Sequence, residues 1–228
     1  MKHLFVVLGI VLVLGACKSD DTVTPGPERV CKLQYVQNKG VVDSFFYDQQ
    51  FRLSRIRSGS VEYVYDYSLY GRVIINKKIY SFNAGRTTIW GDSTGRADSL
   101  LIEEDVSGNN WTKRVFTWNE GRIIEEKRTG SADADVLVLQ YNWHNGNLIS
   151  IEHSGGHDNF SYHPQQWQPG DLNNYFEHIN NGINLTPTRN LVRETPAFSG
   201  ISYVFDSLGT LTQASANGEA YFFRYLCR

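Results

Sequence analysis

The sequence predicts an all-β protein: a strongly curved antiparallel sheet or partial barrel made of successive hairpins, with one short helix near residues 171–181. Three observations carry this. Tyr (13), Phe (12) and Gly (20) are plentiful while Met (1) is scarce, a composition that favours strands and turns over helices. Side chains alternate with a period of two, Leu137, Leu139, Tyr141 and Trp143 against Val136, Val138, Gln140 and Asn142. A local pattern also recurs, in which an aromatic and an Asp, Asn or His are followed by a gap, a Gly, a polar residue and a new apolar run.

The copies are Tyr65-Asp66 with Gly71-Arg72, Trp118-Asn119 with Gly121-Arg122, Trp143-His144 with Gly146-Asn147, and Phe205-Asp206 with Gly209-Thr210. Tyr47-Asp48 with Leu53 is a copy without the Gly. Asn83-Ala84-Gly85-Arg86 and Asp92-Ser93-Thr94-Gly95-Arg96 repeat the turn half. The physics is that of a hairpin: a ring ends one strand, Asp or Asn bonds back to the turn amides, Gly takes the positive-φ position, and a new strand leaves. Irregular spacing makes this a meander and not a solenoid.

Residues 155–200 depart from the pattern and read as a long loop holding one helix. Asp171 can cap it, Leu172, Tyr175, Phe176 and Ile179 form its apolar stripe, and Gly182 can end it.

The first residues read as a processing signal. Met1-Lys2-His3 is positive, and Leu4 to Leu14 is too short an apolar run for a bilayer span but suits a signal peptide. Leu14-Gly15-Ala16-Cys17 resembles the lipobox of bacterial lipoproteins. That resemblance implies a signal peptide over residues 1–16 and lipidation of Cys17; Pro25-Gly26-Pro27 cannot build a core, so residues 17–29 read as a lipidated tether, and the hairpin pattern makes residues 30–228 a single β domain. Lys18-Ser19-Asp20-Asp21 resembles the charged export tag of Bacteroidota lipoproteins, with a solvated linker as the alternative. The expected location is the outer membrane, lipid-anchored, on the cell surface or the periplasmic side, with the surface favoured. Cys31 and Cys227 would meet if the first and last strands pair antiparallel, and an envelope location permits a disulfide. Two free, buried thiols are the alternative.

Together, the Cys17 motif, the aromatic-Asp…Gly-Arg hairpins and the insert from Gly170-Asp171-Leu172-Asn173 through Thr188-Arg189-Asn190-Leu191 resemble a family of Bacteroidota secreted lipoproteins of unknown function. The resemblance implies a porin-like β fold with hairpins similar to the YD repeats of RHS-type proteins. It brings no catalytic residues. Asp21-Thr22-Val23, Asp92-Ser93-Thr94, Asp98-Ser99-Leu100 and Asp206-Ser207-Leu208 resemble O-glycosylation sites of the same bacteria, at Thr22, Ser93, Ser99 and Ser207. Ordinary turn chemistry explains them as well.

The remaining motifs argue against catalysis. Gly91-Asp92-Ser93-Thr94-Gly95 matches the hydrolase elbow, but that elbow needs a helix after it, and residues 96–102 read as a strand. His153, His157 and His163 with Asp158 could ligate zinc, yet Gly155-Gly156 breaks the helix that would align them. Asp133 and Asp135 lack the Gly and Glu of a calcium loop. The pairs Glu103-Glu104 and Glu125-Glu126 would point to opposite faces of a strand and meet solvent. No motif calls for a cofactor or a metal, and a net charge of -2 gives no basic surface for nucleic acid. Trp90, Trp111, Trp118, Trp143 and Trp167 either line a glycan or lipid groove or pack across strands. The function expected is binding or scaffolding in the cell envelope, for a glycan or an envelope protein. The rivals are a half-barrel carrier of an apolar ligand and, last, an enzyme.

Overall fold

The computed structural model describes residues 30–92, 96–132, 135–166, 171–183 and 185–227. The strands follow in chain order as β1 (Cys31–Asn38), β2 (Val41–Tyr47), β3 (Leu53–Ser58), β4 (Val61–Asp66), β5 (Arg72–Ile79) and β6 (Phe82–Gly91). Then come β7 (Ala97–Glu103), β8 (Trp111–Asn119), β9 (Arg122–Gly130), β10 (Leu137–His144), β11 (Asn147–His153), β12 (Gly156–Asn159) and β13 (Ser161–Gln166). Helix α1 (Leu172–Asn181) precedes β14 (Asn190–Glu194), β15 (Ser202–Phe205), β16 (Leu211–Ala216) and β17 (Glu219–Cys227). Fifteen strands form one antiparallel sheet, ordered β12 back to β1 and then β17, β16, β15, while β13 and β14 pair as a separate ribbon. β12 and β15 are open edges, so the sheet is not closed into a barrel. Cys31 and Cys227 are register partners of β1 and β17, and a disulfide joins them.

Two-residue turns with positive φ at both positions link many strands: Lys39-Gly40, Glu120-Gly121, Asn145-Gly146 and Asn217-Gly218. This geometry matches the twist of the strands it joins. Two corrections concern turns and loops. Gly85 lies inside β6 and not in a turn; a Cβ there would come 2.5 Å from the Glu103 carbonyl, so its role is close approach of neighbouring strands. The stretch 155–200 is also more ordered than a long loop, since it contains β12, β13 and β14. β12 and β13 are short and polar, and in β14 the adjacent buried Leu191 and Val192 break the alternation from which a strand is read.

At the rim that carries the disulfide, a clamp repeats from hairpin to hairpin. Tyr47 Oη donates to the Leu33 carbonyl (2.6 Å), Tyr67 Oη to Leu53 (2.8 Å), Trp118 Nε1 to Ala97 (2.8 Å), Trp143 Nε1 to Ile123 (2.7 Å) and Tyr162 Oη to Leu148 (2.6 Å). The residue before each acceptor is Lys32, Arg52, Arg96, Arg122 or Asn147, and the four cations lie over the same rings within cation–π range. The recurring Arg therefore bonds one hairpin to the next. The ring gives apolar area to the core and its polar edge satisfies a strand-end carbonyl.

One core follows. Leu33, Phe45, Ile56, Tyr63, Ile75, Ile89, Leu100, Phe116, Ile123, Leu139 and Leu148 line the inner face, strand by strand, and the insert covers them with Leu172, Tyr175, Leu191, Val192 and Ile201. Helix α1 is set as the sequence predicts. Asp171 Oδ1 accepts from Asn174 N, its Oδ2 accepts from Val192 N and Tyr203 Oη, and Gly182 closes the helix at φ 74°. Burial raises the Asp171 pKa against the pull of those bonds. The helix touches both arms of the sheet. On one side Tyr175 Oη bonds Asp43, Tyr63 Oη donates to Asn180 O (2.8 Å) and Phe176 packs on Tyr221. On the other, Asn173 and Glu177 share a cleft with Arg114 and Tyr141. The ribbon also bridges the two ends of the sheet. Asn190 exchanges bonds with Asn147 of β11, while Ile201 N, beside β15, donates to Arg193 O. A fifteen-stranded sheet can meet one helix and one ribbon in this way only if it is strongly curved.

Candidate functional site

Cross-strand partners share a face, so register shows which charges enter the trough. Arg114 of β8 faces Arg128 of β9, and Phe116 faces Glu126, all on the inner face. Two guanidiniums side by side on a buried wall require an anion, and Glu126 supplies it. Arg114 donates Nε to Oε1 (2.6 Å) and Nη2 to Oε2 (2.7 Å), Arg128 donates to Oε1, and Tyr141 Oη donates to Oε2 (2.6 Å). Burial alone would raise the Glu126 pKa. The bonds from Arg114 and Arg128, the charge of Arg114 and the bond from Tyr141 outweigh it and pull the pKa down to about 2. The same pairing raises Arg114 despite its desolvation, and burial next to Glu126 raises Tyr141. Glu126 is thus an ionised, fully hydrogen-bonded anchor that fixes two cations. The expectation that Glu125 and Glu126 both meet solvent is corrected. Glu125 lies on the outer face with Gln140 and Lys127, but Glu126 is fully buried because Arg114 on the neighbouring strand and Arg128 two residues along its own strand replace its hydration.

Above this wall α1 leaves a cleft of about 340 Å³, with Asn173 and Glu177 as roof, Arg114, Arg128 and Tyr141 as floor, and Phe160 at one side. Thr112 and Arg128 also line an open bowl of about 980 Å³ at the far rim, with Gln140, Glu152 and His153. At the disulfide rim two further crevices, of about 460 and 370 Å³, are lined mainly by apolar side chains, among them Val73, Ile89 and Leu185 in one and Leu33, Phe45 and Leu53 in the other.

The four described tryptophans do not share one groove. Trp118 and Trp143 face inward at the disulfide rim with Ile123 and Leu148, tied into the clamps. Trp90 lies across from Arg72 and Ser99 on the outer face, and Trp111 across from Glu103 near the far rim. Trp167 lies outside the described residues, as do Cys17, Thr22, Ser93 and Asp133. Hairpin packing separates the four described rings because each lies at or near a strand end. Ser99 is half-buried in β7 and Ser207 sits in an exposed turn. His153 Nδ1 accepts from Gly155 N and His163 Nε2 meets the Ile201 carbonyl, so these two histidines serve separate local bonds. Asp92 accepts from Arg96 N and Nε between two strands, β6 and β7. Sequence reasoning missed the network of Arg114, Glu126, Arg128 and Tyr141. The signal, two arginines and a glutamate at inward positions of β8 and β9, emerges only once the register of those strands is known.

No protein-family model matches the chain. No curated protein matches it. Among solved structures, the chain is similar to a porin-like protein from Bacteroides uniformis ATCC 8492, with a TM-score of 0.60 and 13% identity over 87% of this chain and 97% of that one. At that identity the likeness shows the fold alone.

Proposed function

We propose that this chain is a non-enzymatic binding protein of the cell envelope, held by lipid on Cys17, whose trough takes a hydroxyl-rich ligand, a glycan. The observation that carries the reading is the cleft between α1 and β8–β10. Its polar groups are held in fixed positions before any ligand arrives, with Arg114 and Arg128 pinned by Glu126 and a ring, Tyr141, beside them. Preorganised donors next to aromatic area suit a sugar, which offers many hydroxyls and an apolar face. An inner wall carrying buried charge argues against a continuous apolar lining, which a lipid carrier would need. The apolar crevices at the disulfide rim are what favours the carrier as a second reading. Against catalysis, Glu126 has a pKa near 2 and is tied by its neighbours, so it is a poor base and holds no proton to give at neutral pH.

The test is a glycan array with the chain and two variants, Arg128→Gln and Thr112→Trp, each checked for an intact thermal transition. Binding that both variants weaken supports the cleft. Binding that neither variant changes, or no binding to any glycan, defeats it; uptake of a fatty acid in its place would support the carrier.

A further inference from the structure

The turn between β5 and β6 is anomalous. Tyr80 and Ser81 both hold positive φ, at 49° and 72°. The matching turns of this sheet place Gly second, after Lys, Glu or Asn. A side chain in the left-handed region costs free energy that Gly and Asn avoid, and a bulky aromatic there is rare. Among the described residues no packing accounts for it: Tyr80 is 75% and Phe82 78% exposed, and Ile79 beside them is exposed too. The turn therefore presents three apolar side chains to solvent at the far rim, with Val106 of the β7–β8 loop also exposed on that rim. Lys77 and Lys78 lie directly behind. Among the described residues they form no ion pair, while Glu62 is taken by Arg57 and Glu103 by Arg86.

We propose that this hairpin tip is a membrane-insertion site for an anionic phospholipid surface. Tyr80, Phe82 and Ile79 enter the boundary between headgroups and acyl chains, and Lys77 and Lys78 meet the headgroup phosphates. The chemistry fits at each point. Tyr combines a ring with a polar tip, which suits the interface. A closed hairpin leaves few backbone groups unpaired as it enters an apolar layer. Lysines behind an apolar tip add attraction to anionic lipid that salt weakens. The strained turn is retained because its side chains, not its backbone, are what the tip requires. The site is separate from the glycan cleft and does not depend on lipidation.

The experiment uses the chain from residue 17 onward with Cys17→Ala, so that neither leader nor acyl chain contributes. It is sedimented with vesicles of phosphatidylglycerol and phosphatidylcholine, or of phosphatidylcholine alone. Binding to the anionic vesicles is expected to fall at least about tenfold in Tyr80→Asn with Phe82→Thr, and severalfold between about 0.1 M and about 0.5 M salt. The melting temperature of that variant should not fall, because Asn suits the turn; a loss of binding then cannot be unfolding. Equal binding by the variant, or no binding to anionic vesicles, overturns the proposal. Binding to neutral vesicles as strong as to anionic ones overturns the part assigned to Lys77 and Lys78.

Discussion

Replacing Glu126 by Gln keeps the shape of the side chain and removes the charge that holds two arginines in place. Arg114 suffers most, because its side chain is only 16% exposed, whereas Arg128, at 39%, can turn toward the bowl and rehydrate. Removing one partner of a buried ion pair typically costs about 3 to 5 kcal/mol; the partial rehydration of Arg128 places this case at the low end, about 3 kcal/mol. Proton linkage gives a second, independent figure. The Glu126 pKa drops from 4.5 unfolded to about 2 folded. At 1.36 kcal/mol per pH unit that gap is worth roughly 3 kcal/mol. Since the folded pKa is the lower one, this stability is fully present above about pH 4.5 and is lost as pH falls toward 2. Urea unfolding followed by Trp fluorescence, at pH 7 and at pH 3, measures both quantities. The parent should lose more stability than Glu126→Gln on acidification, and the variant should start about 3 kcal/mol lower at neutral pH. A variant within about 0.5 kcal/mol of the parent at pH 7, or one with the same acid sensitivity, would refute the network as described.

Other outcomes follow from the same structure. Ser81→Gly should raise stability by about 1 kcal/mol through relief of the positive φ, seen as a higher melting temperature. Trp118→Phe should cost about 2 kcal/mol or more, because the Ala97 carbonyl loses its donor and the smaller ring gives up part of the packing; a neutral effect would remove the clamp from the account. Cys31→Ser with Cys227→Ser opens a loop of 196 residues, worth roughly 5 kcal/mol in the chain-entropy model. Non-reducing mass spectrometry should find the parent two mass units lighter than its reduced form.

How legible this was from sequence depends on the kind of interaction. Hairpins whose turn residues are needed for their own φ were readable, as at Trp118-Asn119 with Gly121-Arg122. Helix α1 was readable for the same reason, because its cap, stripe and closing Gly are local. The turn at Tyr80-Ser81 was not, since it uses neither Gly nor Asn, and Gly85 four residues on drew the turn signal to itself. β13 and β14 were hidden because their placement rests on contacts to distant residues such as Asn147 and Ile201, and β12, the local hairpin partner of β11, because its four polar residues carry no apolar alternation. The cleft was hidden for a third reason: a glutamate and two arginines look solvent-facing until register shows them on one inner wall. Of the two readings of the tryptophans, the four described rings follow cross-strand packing, spread over separate hairpins.

The claim on which the rest stands is that the open sheet curls until its ends meet at the insert. Spin labels at Asn159→Cys in β12 and Val204→Cys in β15, in a Cys17→Ala background, report the distance between the two edges by pulsed electron paramagnetic resonance. Fifteen strands laid flat at about 4.8 Å each would hold the labels on the order of 65 Å apart. The curled sheet, bridged by β13 and β14, predicts a separation below about 30 Å; a distribution centred near the flat value would contradict it, and with it the cleft.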